Sequence, residues 1–181
     1  MVTKKILIIE GTSDTRNGNL RQGFHKLLEQ KLKGKMPRIV MGDGKNQAIK
    51  KFLNFGKDEF PRLLIDLDKK ETEKKMDLIE NKLSKEPENV FYMIQEMEAW
   101  FLSQPEILDS YYSENISKKI PNRSAKDISN PSVFLYKITK ASKKRKYHKV
   151  VHAVDLLQKL NAIKLMDDFD DFNRLIKTLT N

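Results

Sequence analysis

Two textures of apolar residues alternate over the first hundred positions. KILII (5–9) is a short β-branched run of the kind a buried strand shows, and NLRQGFHKLLEQKLKG follows it with Leu20, Phe24, Leu27, Leu28 and Leu32 at helical spacing and Gly34 as a stop. RIVMGDG predicts a second strand and a turn. KNQAIKKFLNFG predicts a helix that buries Ile49, Phe52 and Leu53 and closes at Gly56. PRLLIDLD reads as a third strand, and ETEKKMDLIENKLSK as a helix with Met76, Ile79 and Leu83 on one buried stripe. NVFYMIQ is a fourth strand, continued by EMEAWFLSQPEIL as helix or turn.

Single helices between successive strands imply parallel pairing with right-handed crossovers, hence an α/β fold: a parallel four-stranded sheet flanked by helices. From about residue 106 the texture changes. Pro121 and Pro131 punctuate it, no strand pattern is evident, and HKVVHAVDLLQKLNAIK and DFNRLIKTLTN both read as helices. The expected organisation is an α/β domain over 1–105 and a helical C-terminal extension, 106–181, packed on it.

Composition adds to this picture in three places. With 39% hydrophobic residues the 181-residue chain can bury a core, and without cysteine it has neither a disulfide framework nor a thiolate metal site. The opening apolar run is too short for a signal-peptide core and no later one approaches a membrane span, so the expectation is a cytoplasmic protein without membrane contact. The net charge of +10 suggests a polyanionic partner, although lysine is abundant throughout. YKITKASKKRKYHK (136–149) holds seven basic residues and no acid, with Tyr136, Tyr147 and His148 interleaved. Lys143, Lys144, Arg145, Lys146, His148 and Lys149 are the candidates for gripping a nucleic acid backbone, DNA or RNA; a solvated loop has the same composition.

The candidate chemistry lies at the strand ends. Asp66 and Asp68 are one residue apart where the third strand stops, and strand alternation would put them on one side. Glu10 ends the first strand and Asp14 falls in the loop after it. Parallel sheets bind ligands beyond their carboxyl ends, so the fold brings Glu10, Asp14, Asp66 and Asp68 to one edge. Carboxylates gathered there repel unless a cation neutralises them, and hard oxygen donors suit Mg²⁺ or Mn²⁺. Gly11 would allow close approach of backbone to metal or phosphate. Acids at these positions also commonly cap the next helix or form surface ion pairs.

ILIIEGTSD and LLIDLDKK resemble the two signatures of the Toprim domain, the metal-binding α/β module of topoisomerases, primases and overcoming-lysogenization-defect nucleases. The resemblance implies a Toprim-like sheet on which Glu10, Asp66 and Asp68 bind Mg²⁺ for chemistry on phosphodiesters, with Asp14 as the second acid of the nuclease-type loop. MIQEMEAWFLSQPE and KYHKVVHAVDLL resemble a narrower Toprim-like family, domain of unknown function forty-two seventy-six, which implies a nuclease beside an ATPase partner in phage defence. The chain differs from the wider Toprim pattern in carrying Lys69, Lys70 and Glu71 after the aspartates. Among Glu96 and Glu98 the resemblance favours Glu98 as an auxiliary catalytic acid; Glu96 otherwise reads as a first-turn helix acid and Trp100 as a core anchor.

Other signals are set aside. HKVVH lacks the glutamate a metalloprotease needs after its first histidine, which leaves His148 and His152 as phosphate contacts or packed side chains. MGDGKNQ lacks the spacing of a phosphate-binding P-loop, and Lys70 stands where a haloacid-dehalogenase phosphatase has Thr or Ser. MDDFDDF reads as a solvated acidic face with Phe169 and Phe172 turned inward. Two readings of the whole follow: a metal-dependent nuclease with Glu10, Asp66, Asp68 and Glu98 as catalytic residues, or a non-catalytic Toprim-like module that binds nucleic acid or docks on an ATPase.

Overall fold

A computed structural model of the chain describes residues 5–13, 19–144 and 146–181. The four apolar runs form β1 (Ile6–Ile9), β2 (Arg38–Met41), β3 (Pro61–Asp66) and β4 (Val90–Met93), all parallel, in the order β2-β1-β3-β4. Every residue of β1 and β4 is buried, which is why they read as continuous apolar runs rather than alternating ones. Ile9 stands opposite both Met41 and Leu64, so the central strands end near one level.

The connecting helices are α1 (Leu20–Leu32), α2 (Lys45–Asn54) and α3 (Lys74–Glu80). α1 leads outward from β1 to β2, whereas α2 returns past β1 to β3; crossovers of one hand therefore place them on opposite faces. The carboxyl ends of β1 and β3 border this reversal, where parallel sheets open a crevice.

α1 buries the five apolar residues its period predicts, and Asn19 caps it by accepting from the Gln22 amide at 3.2 Å. α2 buries Ile49 and Phe52 but leaves Leu53 exposed. α3 is turned away from expectation. Met76 and Ile79 are exposed and Asp77 is buried, accepting from the Tyr92 hydroxyl at 2.8 Å and the Lys45 ammonium at 3.2 Å. The short helix presents a carboxylate to a phenol and an ammonium on neighbouring elements, so Met76 and Ile79 face out, while Leu83, just past the helix end, is buried as its spacing predicts.

The remaining helices are α4 (Glu98–Leu102), α5 (Pro105–Tyr112), α6 (Pro131–Thr139), α7 (Lys149–Lys159), α8 (Ala162–Asp168) and α9 (Asp170–Thr180). α7 lies along α1, and Gly23 makes this possible: a Cβ there would come within 3.0 Å of Leu157 Cδ1 and 3.2 Å of the Val154 carbonyl. Trp100 joins the two parts of the chain as a core anchor. Its ring meets those of Phe24, Phe169 and Phe172 edge-on, with centroids 6.4, 6.4 and 5.1 Å away.

α9 covers the outer edge of the sheet. Asp171 accepts from the Tyr92 amide at 3.3 Å, while Arg174 donates to the carbonyls of Glu88 and Val90 and lies over the Phe91 ring. These side chains occupy backbone groups that would otherwise offer a template to another strand. Phe169 and Phe172 turn inward as expected, but Asp171 is buried rather than solvated, held by Arg174 and by Lys74 at 2.8 Å. Among the described residues no helix is long and apolar enough to cross a membrane.

Candidate functional site

Glu10 extends the pairing of β1 by one step, its amide donating to the Leu64 carbonyl at 2.8 Å. Its carboxylate turns into the crevice between β1 and β3, where Oε2 accepts from the Asp66 amide at 3.0 Å. Gly11 follows with φ +145°, and a Cβ there would stand 2.5 Å from Leu20 Cδ2. The positive φ, with this close packing on α1, favours glycine here.

Asp66 ends β3 and is buried. Its Oδ1 accepts from the Met97 amide at 2.8 Å, and its Oδ2 from the Lys149 ammonium at 3.0 Å. Glu98 opens α4 and has no exposed surface. The Tyr147 hydroxyl donates to its Oε1 at 2.8 Å; its Oε2, 3.7 Å from Lys149 Nζ, has no hydrogen-bond partner.

Asp68 departs from the expected alternation. β3 stops at Asp66, and Asp68 takes a left-handed φ of +60° while its amide donates to the carbonyl of Gln95, itself at φ +47°. The turn sends the Asp68 carboxylate toward Lys45, whose ammonium lies 3.1 Å from Asp68 Oδ2 and 3.2 Å from Asp77 Oδ1. The two aspartates therefore face different lysines. They remain close enough for the charge of Asp68 to act on both Asp66 and Glu10.

Burial sets the electrostatics. It lifts the Glu10 carboxyl to about 7, with the charge of Asp66 adding to the effect. It lifts Glu98 to about 7 as well, although Lys149 opposes it. Asp66 is raised by burial above the usual carboxylate range, again against the pull of Lys149. Burial works against the charge of Lys149 itself, but Asp66 and Glu98 outweigh it and hold the ammonium above its ordinary value.

All these donors are carboxylate oxygens, the type that suits a hard divalent cation. Among the described residues, no three acidic or histidine side chains stand together as a ready metal cage. Lys149 and Lys45 supply the positive charge beside Asp66 and Asp68 instead.

The other candidates scatter. Asp14 and Arg145 lie outside the described residues. Glu96 accepts from the Ser132 amide at 2.7 Å in the first turn of α6, a capping role. Lys149 reaches the carboxylates, and Lys146 lies by Tyr136, donating to its hydroxyl at 3.0 Å. Lys144 donates to the Tyr111 carbonyl and covers its ring at 3.9 Å, while the Lys143 amide donates to Glu114. His148 is exposed at the start of α7; its amide donates to Nδ1 of His152, a buried ring packed among Tyr111, Tyr112 and Tyr147.

Sequence reasoning missed Lys45 and the bond from Tyr147 to Glu98. The first carried no signal beyond an unproductive Gly-Lys pair; the second was visible only as a tyrosine interleaved in the basic run. It placed Lys149 as a phosphate contact, not as the partner of Asp66 and Glu98.

Nothing among curated proteins or solved structures matches the chain significantly. One family profile does, over residues 8–180, and it spans both the carboxylate site and the helices that close it. The chain belongs to the family described as Domain of unknown function (DUF4276).

Proposed function

We propose that the chain is a nucleic acid phosphodiester hydrolase that works with Mg²⁺ or Mn²⁺ on a Toprim-like sheet. One observation carries this reading: at the carboxyl edge of a parallel sheet, beside the point of topological reversal, buried Asp66 and Glu98 share one ammonium, and half-buried Glu10 accepts from the Asp66 amide. A structural role alone gives little reason to bury these acids together, since each costs desolvation.

Glu10, Asp66 and Asp68 would hold the ion, with Asp14 in the same proposed set. The donors fit in type and charge, and the unpartnered Glu98 Oε2 offers a further oxygen. Such an ion polarises a phosphoryl oxygen and lowers the pKa of bound water. Glu98, lifted to about 7, is tuned to take a proton near neutral pH. Lys149 stands where it can meet the charge of a phosphate, and the basic residues between Lys137 and Lys149 would hold the backbone. An ATPase partner and a setting in phage defence enter through the family resemblance and belong to the same proposal.

The ion pairs of Asp66 and Asp68 with lysines also favour a second reading, a non-catalytic module in which ammonium groups have taken the place of the metal. Incubation of labelled single- and double-stranded DNA and RNA with Mn²⁺ separates the two. Cleavage by the wild type, lost in Asp66→Asn while binding persists, supports hydrolysis. Identical behaviour of both proteins, with binding but no products, supports the module.

A further inference from the structure

Beside the carboxylates lies a hollow that shares Lys149 with them. It is open, has a volume of about 480 Å³, and is walled by Val133 and Tyr136 of α6 and by Val150 of α7, with His148 and Lys149 at its margin. Its size falls within the range of roughly 300–1,000 Å³ typical of small-ligand pockets. Val133 and Tyr136 are both exposed, an apolar and an aromatic surface left to solvent in a chain rich in lysine.

The hollow is built rather than incidental. Tyr147, on its inner wall, is buried; its amide donates to Thr139 Oγ1 at 2.7 Å and its hydroxyl to Glu98 at 2.8 Å. Lys149 belongs to the hollow and, through Asp66, to the carboxylate site. The Tyr136 ring is oriented by Lys146, whose ammonium bonds its hydroxyl and lies 5.0 Å from the ring centroid. An exposed aromatic face, apolar walls and two ammonium groups therefore stand together, next to where a phosphodiester would react.

We propose that this hollow receives one unstacked nucleobase on Tyr136, with the adjoining phosphates on Lys146 and Lys149, so that the substrate is a single strand or a flipped-out nucleotide rather than continuous duplex. The inference deepens the hydrolase reading above and rests on it. Charge complementarity selects the occupant. The stretch 136–149 that borders the hollow carries seven basic residues and no acid, a charge that an apolar peptide leaves unanswered, whereas a nucleotide supplies a π-face and an anion together. In duplex the faces of the bases are stacked on one another, and only an unpaired or extruded base presents one to a side chain.

The test is fluorescence anisotropy in EDTA, which keeps binding apart from cleavage. The probes are a fluorescein-labelled oligothymidylate, its duplex with oligoadenylate, and the same strand with abasic sites. The single strand is expected to bind more tightly than the other two. Tyr136→Ala should weaken its binding about tenfold, within the range of base–aromatic stacking, and leave duplex binding unchanged, while Tyr136→Phe retains the ring and the affinity. Equal affinity for strand, duplex and abasic strand, or no loss in Tyr136→Ala, overturns the base pocket and leaves the hydrolase reading standing. Binding of none of the probes overturns the base pocket as well.

Discussion

Lys149 Nζ lies 3.0 Å from Asp66 Oδ2 and 3.7 Å from Glu98 Oε2, so one ammonium from α7 serves two buried carboxylates, one ending β3 and one opening α4. The three residues bring the sheet and the late helices together at a single point, and the balance of charge there governs stability as well as chemistry.

Removing that ammonium should be costly. In Lys149→Met two buried acids lose their shared partner, and the expected loss at neutral pH is about 1–3 kcal/mol, below the figure for a fully buried pair because the lysine is partly exposed. Denaturant unfolding of Lys149→Met, Asp66→Asn and the double variant should give strongly non-additive changes. Additive changes would mean that the pair contributes nothing as a pair.

The acid range offers a second check. Glu98 has a folded-state pKa of about 7 against an ordinary 4.5, so its contribution to stability is present in full below about pH 4.5 and is lost as pH rises through 7. The change across that window is on the order of 3 kcal/mol. Glu98→Gln lacks this dependence and should gain on the wild type from pH 4.5 to about 7, then hold level above it. A difference in melting temperature that does not vary with pH would contradict the assignment.

Metal binding can be read without substrate. Calorimetric titration with Mn²⁺ should show saturable binding by the wild type, lost in Asp66→Asn/Asp68→Asn. The wild type alone should be stabilised by the ion, by about 2.7 kcal/mol at a hundredfold excess over Kd. Absence of binding at millimolar Mn²⁺ in folded protein would leave the module reading in place.

Trp100 tests the packing at the junction of sheet and late helices. Its indole Nε1 is buried without a hydrogen-bond partner, so Trp100→Phe removes an unsatisfied donor along with some volume and should stay within about 1.5 kcal/mol of the wild type. Trp100→Ala, which empties the space among Phe24, Phe169 and Phe172, should cost about 3–5 kcal/mol. Equal losses would show that a phenyl ring does not fill the space among the three phenylalanines.

The strands and α1 were legible because their signal is local: a β-branched run or an apolar stripe needs no knowledge of distant residues. The meeting of Glu10 with Asp66 was legible from topology, since both end strands that border the reversal. The turn at Asp68 was not, because a left-handed aspartate is set by its bond to Gln95, on another strand end. Asp77 was hidden for a related reason. Periodicity favours Met76 and Ile79 as the inner face, and only the Tyr92 hydroxyl and Lys45 reverse it. Lys149 and Asp66 are 83 positions apart, and an isolated lysine in a basic run reads as surface until the packing of α7 on α1 brings it in.

The way α7 and α9 close the structure bears on how it is made. During synthesis the four strands emerge before either helix, so the sheet has an uncovered β4 edge and the acids at its rim have no Lys149 beside them. Contacts between positions so far apart along the chain form late and slowly. A nascent chain stalled before residue 149 thus presents unpaired buried acids and an open strand, the state in which chaperone capture and aggregation compete until the last helices are in place.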